Sequence, residues 1–403
     1  MATSGFQIGG TDLTTTWPDK SYLLDRYPEL ADTFKQAGLW ISGMGNGGYL
    51  GTNDTVWRSS PVQTIAGGTN WKLVSAGQYT VAGIKTDGTL WTWGKNTQGQ
   101  LGNNNTSDRS SPGQTTGTGT NWKVISCGNY YMSAIKTDGT LWAWGYNNKG
   151  QLGDNTLVKK SSPVQTVAGG TNWKFVSAGV NHVGAIKTDG TLWMWGDDWY
   201  GATGNNNGDY ALAYSSPVQT ISAGTNWKLV SCGWYYTTAI KTDGTLWTWG
   251  YNNVGQLGTN NTTNRSSPVQ TIAGGTNWKT VSAGMSHVAA IKTDGTLWLW
   301  GSNGYGQLGN NDSGTNKSSP VQTVAAGTNW KIVNNHISYS TGGIKTDGSL
   351  WVWGGNYFGQ LGLNTRTSMS SPTQSLSGGN NWKDVGMYSD IMLTIRDDSS
   401  DPL

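Results

Sequence analysis

Apolar residues come in short bursts along this chain, each closed by glycine and a polar loop. In 84–102, "IKTDGTLWTWGKNTQGQLG", Leu90 and Thr92 alternate with Trp91 and Trp93. A period of two predicts a strand, because successive side chains of a strand point to opposite faces. Sibling segments carry Ala143, Met194, Leu299 or Val352 at the Thr92 position, so both faces are apolar and both need cover. Upstream, "NWKLVSAG" (70–77) and "VAGIK" (81–85) predict a first and second strand, and "PVQTI" (61–65) is the leading copy of a fourth. Thr86-Asp87-Gly88 supplies a tight turn between the second and third strands.

The unit recurs. Leu-Trp anchors fall at Trp40, Trp91, Trp142, Trp193, Trp247, Trp298 and Trp351, with spacings of 51, 51, 51, 54, 51 and 53. Asn-Trp anchors at Trp71, Trp122, Trp173, Trp227, Trp278, Trp330 and Trp382 again make seven. Sheets apolar on both faces are covered by stacking around a ring, and the small Ser-Ala-Gly ending of the first strand suits convergence on an axis. The prediction is an all-β, seven-bladed β-propeller of four-stranded blades. The chain begins with a third and fourth strand (40–65) and finishes with a first and second (381–396). Pairing N-terminal with C-terminal strands would complete one blade and hide two edges. Loss of the last twenty or so residues is therefore expected to be catastrophic. The expected organisation is a leader or tether at 1–38, the propeller at 39–397 and a tail at 398–403.

"WGYNNVGQLG" (249–258), "SSPVQTI" (266–272) and "VSAGMSHVAAIKTDGTLWLWG" (281–301) together resemble the RCC1 repeat, and the likeness runs from about residue 39 to 396. The resemblance implies a seven-bladed propeller. It leaves function open, since members include an exchange factor for a small GTPase, a protein inhibitor of β-lactamase and a plant photoreceptor. What it implies in common is a partner bound on a propeller face.

Composition narrows the partner. Charged residues make up 12% of the chain and the net charge is +3, which gives no basic face for nucleic acid. No apolar run reaches the roughly 18 residues that span a bilayer, so no membrane insertion is expected, and the opening MATSGFQIGG lacks the pattern of a signal peptide. Of 24 tryptophans, twenty belong to the repeat: seven Asn-Trp, seven Leu-Trp and six Trp-Gly. The remaining four are Trp17, Trp57, Trp199 and Trp234. First–second and third–fourth connections share one face of an up-and-down blade, so Trp57, Trp199 and Trp234 are expected to project together. Tyr200, Tyr235, Tyr130, Tyr339, Tyr357 and Phe358 occupy the same sets of loops. Aromatic, charge-poor loops are the composition of protein- or glycan-contact surfaces, and these nine residues are the partner-binding candidates.

"GMGNGG" (43–48) fits G-x-G-x-x-G, but it occupies a strand-to-strand loop with no helix to follow. His182 and His287 share one repeat position two blades apart, and His336 reads as a solvent-facing loop residue, with the channel as alternative. Asp197-Asp198 and Asp397-Asp398 read as solvated pairs, and the Lys and Asp of each "IKTDG" as turn residues. Cys127 and Cys232 occupy equivalent small core positions too far apart for a disulfide. No enzyme activity, cofactor or metal is expected.

Within the leader, a short helix from about Pro28 to Gly38 is expected, with Leu23, Leu24, Leu30 and Phe34 available for docking in an assembly. Such a leader ahead of "LWxWG" repeats is similar to those of bacteriophage virion proteins. The resulting expectation is a non-catalytic propeller displayed on a virion or cell surface, recognising a protein or host glycan through the aromatic face. An intracellular (cytoplasmic) RCC1-type regulator and a purely architectural virion component are the alternatives.

Overall fold

A computed structural model describes residues 37–397 apart from 66–69, 117–118, 207–212, 222–223, 326 and 377–378, together with 7–8 and 11–12. The expected leader helix, its apolar residues and Trp17 lie outside the described residues. Gln7–Ile8 and Thr11–Asp12 form a two-stranded antiparallel pair.

Seven four-stranded antiparallel sheets make the ring. Blade 1 runs outward from the axis as Trp71–Gly77, Thr80–Lys85, Leu90–Gly94 and Arg109–Gln114. The inner strands of blades 2 to 6 are Trp122–Cys127, Trp173–Ala178, Trp227–Cys232, Trp278–Ala283 and Trp330–Asn334. Blade 7 joins the two ends of the repeat region: Trp382–Tyr388 and Ile391–Asp397 pair with Ala37–Gly43 and Arg58–Gln63. Seven consecutive residue pairs, Ala37 with Asp397 through Gly43 with Ile391, make that closure.

Most clusters of buried apolar side chains straddle two neighbouring blades, for example blades 2 and 3 through Tyr131, Leu141, Trp173 and Trp195, and one joins blades 7 and 1 with Val180 and Ile337 across the axis. In blades 1 to 6 the Asn-Trp indole packs against the Trp-Gly indole of the same blade, as in Trp71 and Trp93 at 6.0 Å. Trp93 has no exposed surface, and its Nε1–H donates to the Tyr49 carbonyl in the preceding blade at 2.9 Å. Trp144, Trp195, Trp249, Trp300 and Trp353 repeat that donation into the blade before them at 2.9 Å. An indole buries a large area and still needs a partner for its one N–H, and the loop carbonyl meets that need.

Near the axis the serine of "VSAG" makes a second joint. Ser75 Oγ accepts the Cys127 N–H at 3.0 Å, and Ser126, Ser177, Ser231 and Ser282 do the same for the next inner strand. Where the pattern breaks in blade 6, Asn334 Oδ1 accepts the Met387 N–H at 3.1 Å and keeps the stitch. Gly386 holds the serine position in blade 7 and has no side chain to offer. Tyr388 instead reaches into blade 1, hydrogen-bonding the Gln78 backbone.

At the opposite end of each blade the "IKTDG" lysine lies between two indoles. Lys85 Nζ sits 5.2 Å from the Trp71 ring and 4.2 Å from Trp91, and the sandwich recurs through Lys345 over Trp330 and Trp351. In blade 7, Arg396 replaces lysine over Trp40 and Trp382. These lysines are thus cation–π elements as well as turn residues, while Asp87 Oδ1 fixes the turn by accepting the Thr89 N–H and hydroxyl. Both cysteines are buried and free, as the repeat position implied.

Deleting 381–397 would remove both inner strands of blade 7 and leave blades 1 and 6 uncovered. The expected product loses the cooperative thermal transition in circular dichroism and elutes as aggregate. A sharp native-like melt would contradict ring closure as the source of stability.

Candidate functional site

The first–second and third–fourth loops open on one face of the ring, the upper face. Three consecutive residues of each first–second turn have separate tasks. The first points to the axis, the second lies over a third–fourth loop, and the third is buried between blades. In blade 2 these are Asn129, Tyr130 and Tyr131.

Tyr79, Tyr130 and Tyr235 hold the second position with φ of +63°, +62° and +64°, a region unusual for a residue with a side chain. Their carbonyls accept the N–H of Lys95, Tyr146 and Tyr251, which follow the Trp-Gly pair. The glycine of that pair is required: in Gly145, at φ +102°, a Cβ would lie 2.5 Å from the Tyr130 carbonyl oxygen. Third-position side chains cross to the next blade. The Tyr131 hydroxyl lies 2.9 Å from the carbonyl oxygens of Gly179 and His182, and Tyr236 makes the equivalent contacts to Gly284 and His287.

The second-position rings gather with aromatic residues of the third–fourth loops. Trp199 stacks on Tyr200 at 5.6 Å and meets the edge of Tyr235 at 5.4 Å. Tyr235 in turn touches Trp234 at 5.2 Å, and Tyr200 contacts Tyr251 at 4.3 Å. One continuous aromatic track therefore runs from the axis at Trp234 out to Trp199, which is 38% exposed. Tyr339 and Tyr357 both pack on Tyr305, at 5.2 and 5.4 Å. Tyr130 joins Tyr79, which stacks on Tyr49.

First-position residues surround an axial depression of about 330 Å³, whose wall includes Val180, Trp234, Met285, Ile337 and Tyr388 with Gln78 and Asn129. Across the axis, His336 Nε2–H of blade 6 donates to the Ala178 carbonyl of blade 3 at 2.8 Å, and its ring meets Tyr388 at 5.8 Å.

Of the nine candidates, Trp199, Tyr200, Trp234 and Tyr235 converge. Trp57 does not join them: its Nε1–H donates to Asn46 Oδ1, its ring packs edge-on against Phe358 at 5.2 Å, and Arg366 covers it at 5.0 Å. His336 spans the channel and is not a solvent-facing loop residue; one inserted residue in "VNNHIS" turns it inward. Asp197 and Asp198 are buried, 3% and 0% exposed, and not solvated. Asp198 stands where sibling loops have Asn147 and Asn252, and its Oδ1 accepts the Thr203 N–H. Burial raises both carboxyls above their ordinary value, with Lys149 3.9 Å from Asp197 drawing that carboxyl back down. Tyr131 and Tyr236, although they stand in the same first–second loops as Tyr130 and Tyr235, are fully buried latches. Sequence reasoning missed Val180, Met285 and Ile337, although divergence at one position of a near-identical repeat was the signal. Among the described residues no three His, Cys, Asp or Glu side chains come together as a metal site.

Residues 38–376 match the family model described as RCC1-like domain. The chain is 30% identical over 336 residues to the Ultraviolet-B receptor UVR8 of Arabidopsis thaliana, covering 82% of this chain and 76% of that protein. It is 27% identical over 362 residues to the Regulator of chromosome condensation of Xenopus laevis, covering 82% of each. The fold superposes on the crystal structure of Kap60 bound to yeast RCC1 (Prp20) with a TM-score of 0.77 and 16% identity, covering 92% of this chain and 93% of that one.

Hydrogen bonding fixes the state of the buried imidazoles. Thr237 Oγ1 donates to the Ala202 carbonyl, so it accepts from His182 Nε2–H at 3.0 Å. Thr341 and His287 repeat the arrangement. Nδ1 of both rings is then bare, buried and without a partner. Burial lowers His182 to about 4, His287 to about 3 and His336 to about 4. Each ring binds its proton less readily in the folded state than unfolded, so its contribution to stability is intact above about 6.5 and is lost as pH falls towards 4. In an NMR titration the Cε1–H resonances should keep their neutral positions down to about pH 5; a midpoint near 6.5 would place the rings in solvent. Tyr236→Phe removes the hydroxyl from the Gly284 carbonyl, while the His287 carbonyl keeps the Gly284 N–H and the Asn335 amide; it should cost about 1–3 kcal/mol in urea denaturation.

Proposed function

The chain belongs to the RCC1-like domain family, and from that premise we propose that it is a non-catalytic binding module that holds a protein partner on its upper face. The observation that carries this reading is the aromatic track Trp234–Tyr235–Trp199–Tyr200. Trp and Tyr supply most of the energy of protein contacts, because they offer large rigid surfaces at low entropic cost. Here they are held in place by left-handed backbone at Tyr235 and Tyr200, at +64° and +61°. Such strain is tolerated where the surrounding structure imposes it. The yeast RCC1 structure in complex with Kap60 favours a protein over a glycan. The names of the two sequence relatives, a receptor and a regulator, suit a module that passes on a signal by binding. Neither name points to a virion or cell surface, and display there forms no part of this reading.

Trp199→Ala combined with Tyr235→Ala should reduce the protein recovered with the tagged chain at least about tenfold, while the melting temperature stays within a few degrees. Thr242→Arg, on the opposite face, should change neither quantity. Loss of capture with Thr242→Arg and retention with the aromatic pair would move the binding surface to the other side of the ring.

A further inference from the structure

The upper face is chemically divided. Beside the aromatic track and the axial depression, blades 1 to 3 carry a second depression of about 530 Å³. Four amides line it (Gln98, Asn129, Asn148 and Asn181), with two phenols and the Lys95 ammonium. Asn129 belongs to both depressions, so the two adjoin.

Gln98 Oε1 accepts from Lys159 Nζ, but the three asparagines differ from the other amides of the same loops. Asn96 is fully committed: its Nδ2 donates to Asn103 Oδ1 and to the carbonyls of Asn105 and Ser107, while its Oδ1 accepts the Leu101 N–H. Among the described residues no side-chain hydrogen bond occupies Asn129, Asn148 or Asn181, and Asn129 Oδ1 is buried without a partner. An amide both donates and accepts, which is the complement of an extended main chain. Lys95 approaches the Tyr79 ring at 5.7 Å, and it is absent from the ion pairs of the described residues. It therefore offers an unmatched positive charge at the edge of the cleft.

We propose that the upper face binds an extended segment of its protein partner. One bulky apolar side chain sits in the axial depression, the flanking main chain runs over the Asn129, Asn148 and Asn181 amides, and an acidic side chain meets Lys95. This rests on the reading of the aromatic face as a protein-binding surface. The axial depression is at the small end of ligand pockets, which run from roughly 300 to 1,000 Å³. It has room for one anchor side chain and is walled by Val180, Met285 and Ile337. A saccharide would use the amides and leave that apolar wall uncovered, so a peptide accounts for both halves of the site.

The test selects displayed random peptides of about twelve residues on the full chain and measures the enriched ones by fluorescence anisotropy. Each should carry one bulky apolar residue with Asp or Glu close by. Met285→Trp, which fills the depression, should weaken them about tenfold or more. Lys95→Glu, at a half-buried position on the rim, should do the same while the melting temperature stays within a few degrees, and exchanging the peptide's acidic residue for Lys should restore binding to Lys95→Glu. Failure to enrich any peptide, or binding of a glycan array with no peptide enriched, overturns the proposal. So do enriched peptides that bind Met285→Trp and Lys95→Glu at full strength. If those same peptides are lost on Trp199→Ala, the binding face stands and this mode of binding alone fails.

Discussion

Each blade is incomplete without the one before it. In blades 1 to 6 the Trp-Gly indole is the reason: it is too large to leave in water and carries an N–H that must be paired, and the carbonyl that pairs it lies about 44 residues back, in the preceding blade's loop. In blade 7 the Ser42 hydroxyl stands in that place and donates to the Gln360 carbonyl of blade 6. A blade folded alone would expose both the ring and the orphaned donor. The serine stitches near the axis impose the same dependence on the inner strands. Stability therefore resides at the joints between sheets, and the buried clusters accordingly straddle pairs of blades.

This arrangement separates scaffold from surface within a single repeat. In blades 2 to 5 the third residue of the first–second turn is Tyr or His and is held by hydrogen bonds to the next blade. The first and second residues pack mainly on one another around the axis and on the third–fourth loops. They change freely between blades: Gln78, Asn129, Val180, Trp234 and Met285 occupy one such position. A face can then be written residue by residue on a frame that does not respond. In blades 1 to 3 it is written in amides, and in blade 4 in rings.

The architecture was legible because repetition does the work of many sequences. Seven Asn-Trp and seven Leu-Trp anchors and the split final blade dictated the ring, its count and its closure. The partners of the side chains were not legible. Nothing in "IKTDG" announces that Lys85 lies between Trp71 and Trp91, since those indoles are brought together only by the sheet. Tyr131 and Tyr236 stand next to the surface aromatics Tyr130 and Tyr235 in sequence, yet one residue in left-handed conformation before each shifts the alternation and turns the next side chain inward. Asp198 was misread for a related reason: at a position where siblings have a buried asparagine, a carboxylate follows the fold and not its own preference for water. The convergence of Trp199 with Trp234, and the separation of Trp57 from both, followed from which loops are neighbours around the ring, which no spacing along the chain could supply.

Closure of blade 7 also bears on how the molecule is made. Ile391–Asp397 is the latest of the 28 propeller strands in chain order, and it is the one that receives Ala37–Gly43. A growing polypeptide therefore carries the early strand with an unsatisfied edge throughout translation of some 350 residues, and the inner flank of blade 1 stays open as long. The hazard of mispairing is confined to that interval, and a cell producing the protein would need to shield one particular edge until the ribosome has passed residue 397.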